Sequence, residues 1–229
     1  MTKARVSRHL STLNDLGMVV RMPDKSGYRL GPTLFRLSNA ALDQYEITNI
    51  TYRYMVALRN QVHEALLLAI PAGGDALIVS TVVSGKALSP ELVRGSRLRV
   101  PISPTAGVVL AFARESVRER VLARRAERHP SREVVLDPVK QRQEFKKIQD
   151  RFYAFHDDPH DAGFAVLSAP IFNHAEGLEA ALTLVMNRRA GNVDHEKQYL
   201  QVLMGTAIEI SRALGSLKMA NCMAEKYGG

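Results

Sequence analysis

The chain has 229 residues, of which 46% are hydrophobic and 24% charged, and its formal net charge is +8. This composition is typical of a soluble globular protein with one sizeable domain and a smaller attached module. No apolar run approaches the roughly 20 residues that span a bilayer, and the first residues lack the apolar core of a signal peptide. The single cysteine, Cys222, cannot form an internal disulfide. We therefore expect a cytoplasmic protein with no membrane partner.

The first segment predicts a helix followed by a hairpin. Apolar residues recur at Val6, Leu10, Leu13 and Leu16, which is the stripe of an amphipathic helix, and Gly17 is placed to end that helix. Two short runs of strand-forming residues, MVVRM and YRL, lie on either side of the turn sequence Pro-Asp-Lys-Ser-Gly. A polar-faced helix followed by a basic two-stranded hairpin is typical of the second half of a winged helix-turn-helix.

The positive charge of the chain is concentrated in this first segment. Residues 1–31 contain six Lys or Arg and two Asp, so they carry half of the net charge of +8. Excess positive charge favours polyanionic partners through counterion release, and Arg, Lys, Ser and Thr are common ligands of DNA phosphates and bases. The alternative is an ordinary solvated surface. The candidate DNA-contacting residues are Lys3, Arg5, Ser7, Arg8, Thr12, Arg21, Lys25 and Arg29.

Helices and strands alternate in the pattern that follows the hairpin. Residues 33–62 have helical periodicity with a break near Glu46–Thr48, and Asp137 with Pro138 is placed as the N-cap and first residue of another helix. Residues after about Lys218 are expected to fray. Further helices are predicted at 105–113, 116–128 and 138–151 and after an Asp194 cap, and strands at 64–70, 75–83, 164–172 and 177–186.

Three segments in this order resemble the IclR family of bacterial transcriptional regulators. KARVSRHLSTLNDLGMVVRMPDKSGYRLGPTLFRLS is similar to that family's recognition helix, wing and start of the linker helix. RGSRLRVPISPTAGVVLAFA is similar to the sensor segment in which a proline precedes a small-residue turn into a helix. FYAFHDDPHDAGFAVLSAPIFN is similar to the stretch that ends in a glycine, a strand and an Ala-Pro-hydrophobic tripeptide. The first segment alone would also fit other winged-helix families, including MarR-like regulators.

The resemblance implies an α+β fold with a partial winged helix-turn-helix, a helical linker and a GAF/profilin-like sensor domain, whose mainly antiparallel sheet is flanked by helices. It implies operator DNA and a small organic acid effector as partners, and a homo-oligomer that is a dimer or a tetramer. The family's DNA-binding domain normally has two further helices before the recognition helix, so we expect this chain to begin inside the third. The predicted boundaries are 1–31 for the winged helix-turn-helix, 32–47 for the linker, 48–218 for the sensor and 219–229 for a tail.

The resemblance also places an effector pocket between the sheet and the turn at Thr105–Gly107. Small residues there let backbone N–H groups at a helix N-terminus approach a ligand carboxylate, and a mixed lining suits a small organic acid, aromatic acids included. Relatives often have Gly-Lys at Val108 and Val109, and a cysteine at Val166, so this pocket is expected to be more apolar. The alternative is an N-cap surrounded by core residues. The candidate lining is Leu92, Val100, Thr105, Ala106, Gly107, His156, Phe164, Val166 and Thr183.

We predict a ligand-responsive DNA-binding regulator, either a repressor or an activator, in which the acid shifts an oligomer between DNA-competent and incompetent arrangements. A sensor that has lost DNA binding is the alternative, and an enzyme acting on a small acid is the third. The sequence contains no nucleophile elbow, phosphate-binding loop, dinucleotide fingerprint or zinc spacing, so we expect no enzyme and no cofactor. Residues 156–161 include suitable metal ligands but no distant further ligand, and we expect a polar loop beside the pocket rather than a metal site.

Overall fold

The computed structural model describes residues 2–24, 26–44, 46–83, 92–126, 137–157, 164–187 and 196–228. By contacts the chain divides into two compact units, Met1–Glu46 and Ile47–Gly229, which we call the N-terminal and C-terminal units. Within the described residues, no helix is both long enough and apolar enough to cross a bilayer.

The N-terminal unit consists of helix α1 (Lys3–Asp15), the hairpin strands β1 (Val19–Arg21) and β2 (Tyr28–Leu30), and helix α2 (Thr33–Gln44). Gly17 has a φ of +68° and ends α1 as predicted, because the N–H groups of Gly17 and Met18 each donate at 2.9 Å to the carbonyls of Asn14 and Leu13. None of the residues of α1 is buried, and Val6 is 40% exposed. The predicted helix and hairpin therefore form, and the apolar stripe of the helix is only partly covered, with Leu10 and Leu13 half-buried.

A close backbone contact joins the two ends of the hairpin. The Gly31 N–H donates to the Met18 carbonyl at 2.8 Å. A Cβ atom on Gly31 would lie 2.0 Å from the carbonyl oxygen of Gly17, which no side chain can tolerate. Gly31 is therefore required by the close approach of the two backbones.

The C-terminal unit is built on one antiparallel sheet, as predicted. Its strands are β3 (Ala65–Ala72), β4 (Asp75–Val82), β5 (Arg97–Leu98), β6 (Ala154–Asp157), β7 (Phe164–Phe172) and β8 (Leu178–Asn187). They lie in the order β5-β4-β3-β8-β7-β6, and every pairing is antiparallel. The helices are α3 (Glu46–Val62), α4 (Pro104–Ala111), α5 (Glu115–Ala126), α6 (Pro138–Arg151), α7 (Glu196–Ala213) and α8 (Lys218–Tyr227).

The two faces of this sheet have separate cores. Alternate side chains of the central strands, such as Leu66 and Leu167, pack against α3, α7 and α8. Residues one step along the same strands point to the other face, where Ala69 and Ala181 pack against α4, α5 and α6. Small side chains on that second face allow α4 to lie close to the sheet.

The expected tail is wrong for residues 218–227, which form α8. Ala220 and Met223 of this helix are buried, and the Tyr227 hydroxyl donates to the Arg151 carbonyl at 2.6 Å. In the sequence the apolar spacing of α7 continues to Leu214 and Leu217, but α7 ends at Ala213 and Leu217 is 69% exposed. Gly215, with a φ of +82°, redirects the chain, so a second helix with its own apolar face follows.

Glu176 fixes the start of α8 from the turn between β7 and β8. Its carboxylate accepts hydrogen bonds from the Ser216 hydroxyl at 2.7 Å and from the N–H groups of Leu217, Lys218 and Met219 at 2.9, 3.0 and 2.9 Å. These bonds, led by the one from Ser216, lower the pKa of Glu176 to about 2. A charged side chain from a distant turn thus supplies the N-terminal cap of α8.

The expected loop at His156 is also wrong, because His156 and Asp157 lie in β6. His156 is paired with Val166 of the neighbouring strand. Four residues are too few to show an alternating pattern, and β5, with two residues, was missed for the same reason. The rest of that segment, 158–161, lies outside the described residues, as does the predicted cap Asp194.

Candidate ligand-binding site

The site is built around the N-terminal end of α4. Ser103 is the N-cap, and its hydroxyl accepts from the Ala106 N–H at 3.4 Å, while Pro104 occupies the first helical turn. All residues of α4 from Thr105 to Ala111 are buried, which is typical of a helix that is apolar on every side. At the opposite end, Arg118 donates to the Ala111 carbonyl at 2.8 Å. Both ends of this buried helix therefore have a side-chain partner.

A cleft of about 180 Å³ opens at this N-terminus. It lies between the segment that leads into α4, one face of α6 and the edge strand β6. An apolar cavity of about 150 Å³ holds benzene, so the cleft has room for a molecule with a single ring. Its lining consists of Val100, Pro101, Ile102, Ser103, Pro104, Gly107, Gln141, Glu144, Ile148, Ala154, Phe155 and His156.

Helix α6 forms one wall of the cleft and is anchored at its start and on its outer side. Asp137 caps it, accepting from the Val139 and Lys140 N–H groups at 2.9 and 3.3 Å, as the sequence predicted. On its outer side Arg142 donates two hydrogen bonds to Glu119 of α5, one of them at 2.9 Å. These bonds lower the pKa of Glu119 and raise that of Arg142. The wall is thus connected to its neighbouring helix on the side away from the cleft.

Beside the cleft, a chain of buried hydroxyl groups links α4 to the sheet. The Thr105 and Thr183 oxygens are 3.0 Å apart, and the Ser168 and Thr183 oxygens are 2.9 Å apart. All three residues are at most 1% exposed. Since Thr105 lies in the first turn of α4 and the other two lie on β7 and β8, these bonds fix the helix N-terminus against the sheet.

Three of the predicted pocket residues line the cleft, namely Val100, Gly107 and His156. Thr105 and Thr183 belong to the hydroxyl chain, and Ala106 is fully buried in the core beneath α4. A Cβ atom on Gly107 would lie 3.3 Å from the Ile148 Cδ1 atom of α6. The small residue at 107 therefore also serves the close packing of two helices, a purpose the sequence did not indicate.

The other three predicted residues lie elsewhere on the same face of the sheet. Leu92 and Phe164 pack against a small buried cluster of Ala65, Leu67, Ile78 and Val185. Val166 is half-buried and sits opposite His156 in the strand pairing. None of the three is among the residues that line the cleft as described.

Sequence reasoning missed the contribution of α6 to the cleft. Gln141, Glu144 and Ile148 are spaced by three and four residues, so they share one face of the helix. The spacing is visible in the sequence, but the three residues are partly polar and do not form an apolar stripe that would predict a buried face. Ser103 before Pro104 is the same cap signal as Asp137 before Pro138, and it marked the start of α4.

The candidate DNA-contacting residues lie in the N-terminal unit. Lys3, Arg5, Ser7, Arg8 and Thr12 are all exposed on α1, and Arg21 and Arg29 are exposed on the hairpin. None of these basic side chains forms an ion pair with another residue that the structure describes. Lys25 lies outside the described residues.

Among the described residues, no group of three or more His, Cys, Asp or Glu side chains is placed to hold a metal ion. The only cysteine, Cys222, is half-buried on α8 with a free thiol.

Comparison with known proteins matches residues 39–212 to the family model described as the C-terminal region of the bacterial transcriptional regulator IclR. The HTH-type transcriptional regulator KipR of Bacillus subtilis is 24% identical over 216 residues, which are 94% of this chain and 86% of that protein. Among solved structures, the IclR protein of Thermotoga maritima has a TM-score of 0.70 at 23% identity, over 94% of this chain and 87% of that one. An IclR homologue of Microbacterium hydrocarbonoxydans complexed with 4-hydroxybenzoate has a TM-score of 0.73 at 21% identity, over 93% and 86%.

Proposed function

Because the chain belongs to the IclR family of bacterial transcriptional regulators, which are not enzymes, we propose that its C-terminal unit senses a small organic acid and its N-terminal unit contacts operator DNA. The acid binds in the cleft at the start of α4. The protein acts in the cytoplasm as a dimer or tetramer, in which paired recognition helices read paired half-sites. Acid binding favours one arrangement of the oligomer and so changes its affinity for DNA.

The cleft at the N-terminus of α4 is the observation that carries the sensor proposal. A helix N-terminus attracts anions because the helix dipole is positive there. At α4 the attraction comes mainly from this dipole, since Pro104 has no N–H group and the Ala106 N–H donates to the Ser103 hydroxyl. Ser103, Pro104 and Gly107 belong to this end of the helix and line the cleft, and His156 lines it from β6. A related structure contains 4-hydroxybenzoate, an acid whose single ring is compatible with a cleft of about 180 Å³.

Binding of benzoate and 4-hydroxybenzoate, measured by isothermal titration calorimetry, tests the sensor proposal. His156→Ala is expected to weaken binding, since it removes the imidazole from the cleft wall. His174→Ala, in the exposed turn between β7 and β8, is the matched control and is expected to bind like the wild type. If neither acid binds the wild-type protein at millimolar concentration, or if both variants bind as the wild type does, the site is not in this cleft.

The exposed basic residues of α1 and the hairpin support the DNA proposal. Arg can pair with guanine in the major groove, and residues of a hairpin beside a recognition helix bind phosphates. Binding to a duplex from the region flanking the protein's own coding sequence is measured at two salt concentrations, for this chain and for a form extended upstream in its reading frame. Counterion release predicts weaker binding at the higher concentration.

Arg8→Ala, made in whichever form binds, is expected to weaken DNA binding and to leave acid binding unchanged. Arg120→Ala, which removes an exposed arginine from α5, is the charge-matched control. Equal operator affinity of the Arg8→Ala variant and the wild type would contradict the recognition-helix assignment. Acid binding without DNA binding by either form would support the alternative of a sensor that does not contact DNA.

A further inference from the structure

The wall of the cleft that leads into α4 extends beyond the end of its strand pairing. Strand β5 has two residues, lies at the edge of the sheet and pairs with β4. This pairing stops at Leu98, whereas the residues that line the cleft begin at Val100 and continue to Pro104. Strand pairing alone therefore does not fix the position of this wall.

Asp75, the first residue of β4, holds the same segment through its side chain. One of its carboxylate oxygens accepts a hydrogen bond from Arg97 and another from Arg99, each at 3.4 Å. The two arginines are half exposed, but the Asp75 side chain is only 10% exposed, so water screens these charge-assisted bonds less than at an open surface. Leu98, between the arginines, packs on buried residues of the sheet. The carboxylate thus extends the attachment of the segment to the neighbour of Val100.

The turn that carries Asp75 is itself packed against α5. A Cβ atom on Gly74 would lie 2.3 Å from the Val121 Cγ2 atom, so the backbone of the turn touches this buried residue of α5. Helix α5 is bonded in turn to α6 through Glu119 and Arg142. Since α6 forms another wall of the cleft, the two walls are connected through α5 and the turn between β3 and β4.

We propose that Asp75 is a positioning residue for effector binding, because its bonds to Arg97 and Arg99 set the place of the wall from Val100 to Pro104. Asp75 itself is not among the described residues that line the cleft. The turn between β3 and β4 therefore controls acid affinity without contact with the acid. This inference rests on the proposed acid-sensing function and adds a determinant of affinity that lies outside the cleft.

The sign of the effect separates positioning from electrostatic attraction. Loss of the Asp75 carboxylate removes a negative charge from the C-terminal unit, and by Coulomb's law alone this change favours an anionic ligand. Loss of the two hydrogen bonds releases the wall, so that ordering it on binding costs free energy. Positioning thus predicts weaker acid binding where electrostatics predicts tighter binding.

Calorimetry on the full chain with 4-hydroxybenzoate tests the role of Asp75. Asp75→Ala is expected to bind the acid about fivefold more weakly than the wild type, which is within the range of couplings in one side-chain network. Asp75→Asn, which retains an uncharged acceptor, is expected to lie between the two. Glu115→Gln neutralises an exposed carboxylate on α5. It is the charge-matched control and is expected to bind at least as tightly as the wild type.

Amide hydrogen exchange, followed by mass spectrometry without ligand, locates the effect in the chain. The Gly95 N–H donates to the Ile78 carbonyl at 2.8 Å, and the Ser103 N–H donates to the Arg99 carbonyl at 2.9 Å. Peptides that contain these groups report on the two ends of the segment. In Asp75→Ala they are expected to exchange faster, while peptides from β7 and β8 exchange as in the wild type.

The outcomes distinguish this inference from the proposal on which it rests. If the wild type binds neither benzoate nor 4-hydroxybenzoate, the sensor proposal fails and the role of Asp75 fails with it. If the wild type binds and Asp75→Ala binds equally or more tightly, the sensor proposal stands and the role of Asp75 is refuted. Faster exchange across the whole sheet, rather than in residues 95–103, also refutes it. Asp75→Asn decides the question if Asp75→Ala does not fold.

Discussion

Removing the central hydroxyl of the buried chain beside the cleft should destabilise the C-terminal unit. In Thr183→Val a methyl group replaces the hydroxyl, so the side-chain volume is nearly unchanged. Both hydrogen bonds, at 3.0 Å to Thr105 and 2.9 Å to Ser168, are lost. Two hydroxyl groups that are at most 1% exposed are then left without this partner. A buried group left unsatisfied costs about 1 to 3 kcal/mol, so for two such groups we expect a loss of about 2 to 6 kcal/mol in unfolding free energy.

Thr183→Ser is the matched control, because it keeps the hydroxyl and removes only a methyl group. Burial of one such group contributes about 0.8 kcal/mol, so this variant should lose about 1 kcal/mol. Urea unfolding is followed by far-ultraviolet circular dichroism, since the chain has no tryptophan. With a slope of about 1 to 3 kcal/mol per molar urea, the Thr183→Val midpoint should fall by about 1 M or more.

A double-mutant cycle then isolates the bond between α4 and the sheet. Thr105→Val and Thr183→Val remove the same hydrogen bond, so the double variant should cost clearly less than the sum of the single variants. Additive effects, or a Thr183→Val variant no less stable than Thr183→Ser, would show that the hydroxyl chain does not hold the helix in place.

Two further predictions concern the cap of α8 and the hairpin. Since the folded-state pKa of Glu176 is lowered to about 2, its contribution to stability is present above its ordinary value of 4.5 and is lost as the pH falls toward 2. The stability difference between the wild type and Glu176→Gln, measured by urea unfolding, should therefore be smaller at about pH 3 than at about pH 6; a pH-independent difference would contradict the cap. Gly31→Ala would place a Cβ atom 2.0 Å from the Gly17 oxygen, so it should destabilise the N-terminal unit by about 1 to 3 kcal/mol. Gly27→Ala should not destabilise this unit, because a Cβ atom on Gly27 would have no atom within 4 Å. Limited proteolysis of the full chain, with cleavage followed within residues 1–46, distinguishes the two variants.

The sequence predicted the long elements of the fold because their apolar residues repeat over many positions. The helices at α6 and α7 and the strands β3, β4, β7 and β8 all show such repeats or strong caps. The edge strands β5 and β6 have two and four residues, too few for any period to appear. α8 could not be predicted because the apolar spacing of α7 continues in the sequence past Gly215, whereas the positive φ of Gly215 separates the two helices.

The site was predictable only in part, for a different reason. Val100, Gly107 and His156 come from segments that the family resemblance placed around one turn. The contribution of Gln141 depends on how α6 packs on α4, which is set by contacts such as Gly107 with Ile148 and not by any local pattern. From sequence alone, polar residues on a helix are expected to face solvent, and only the position of the neighbouring helix shows otherwise. A cleft between elements that are distant in sequence is therefore the part of the structure that a single sequence does not predict.

The packing of α8 connects the last described helix of the chain to a wall of the cleft. Tyr227 donates its hydroxyl hydrogen to the Arg151 carbonyl, and Lys226 donates to the carbonyl of Asp150. The guanidinium of the same Arg151 holds Glu144 at the wall of the cleft. The last turn of α8 is thus separated from the cleft by one arginine and one carboxylate. If the cleft binds the proposed acid, a substitution in these final residues would change the acid affinity while every residue that lines the cleft stays the same.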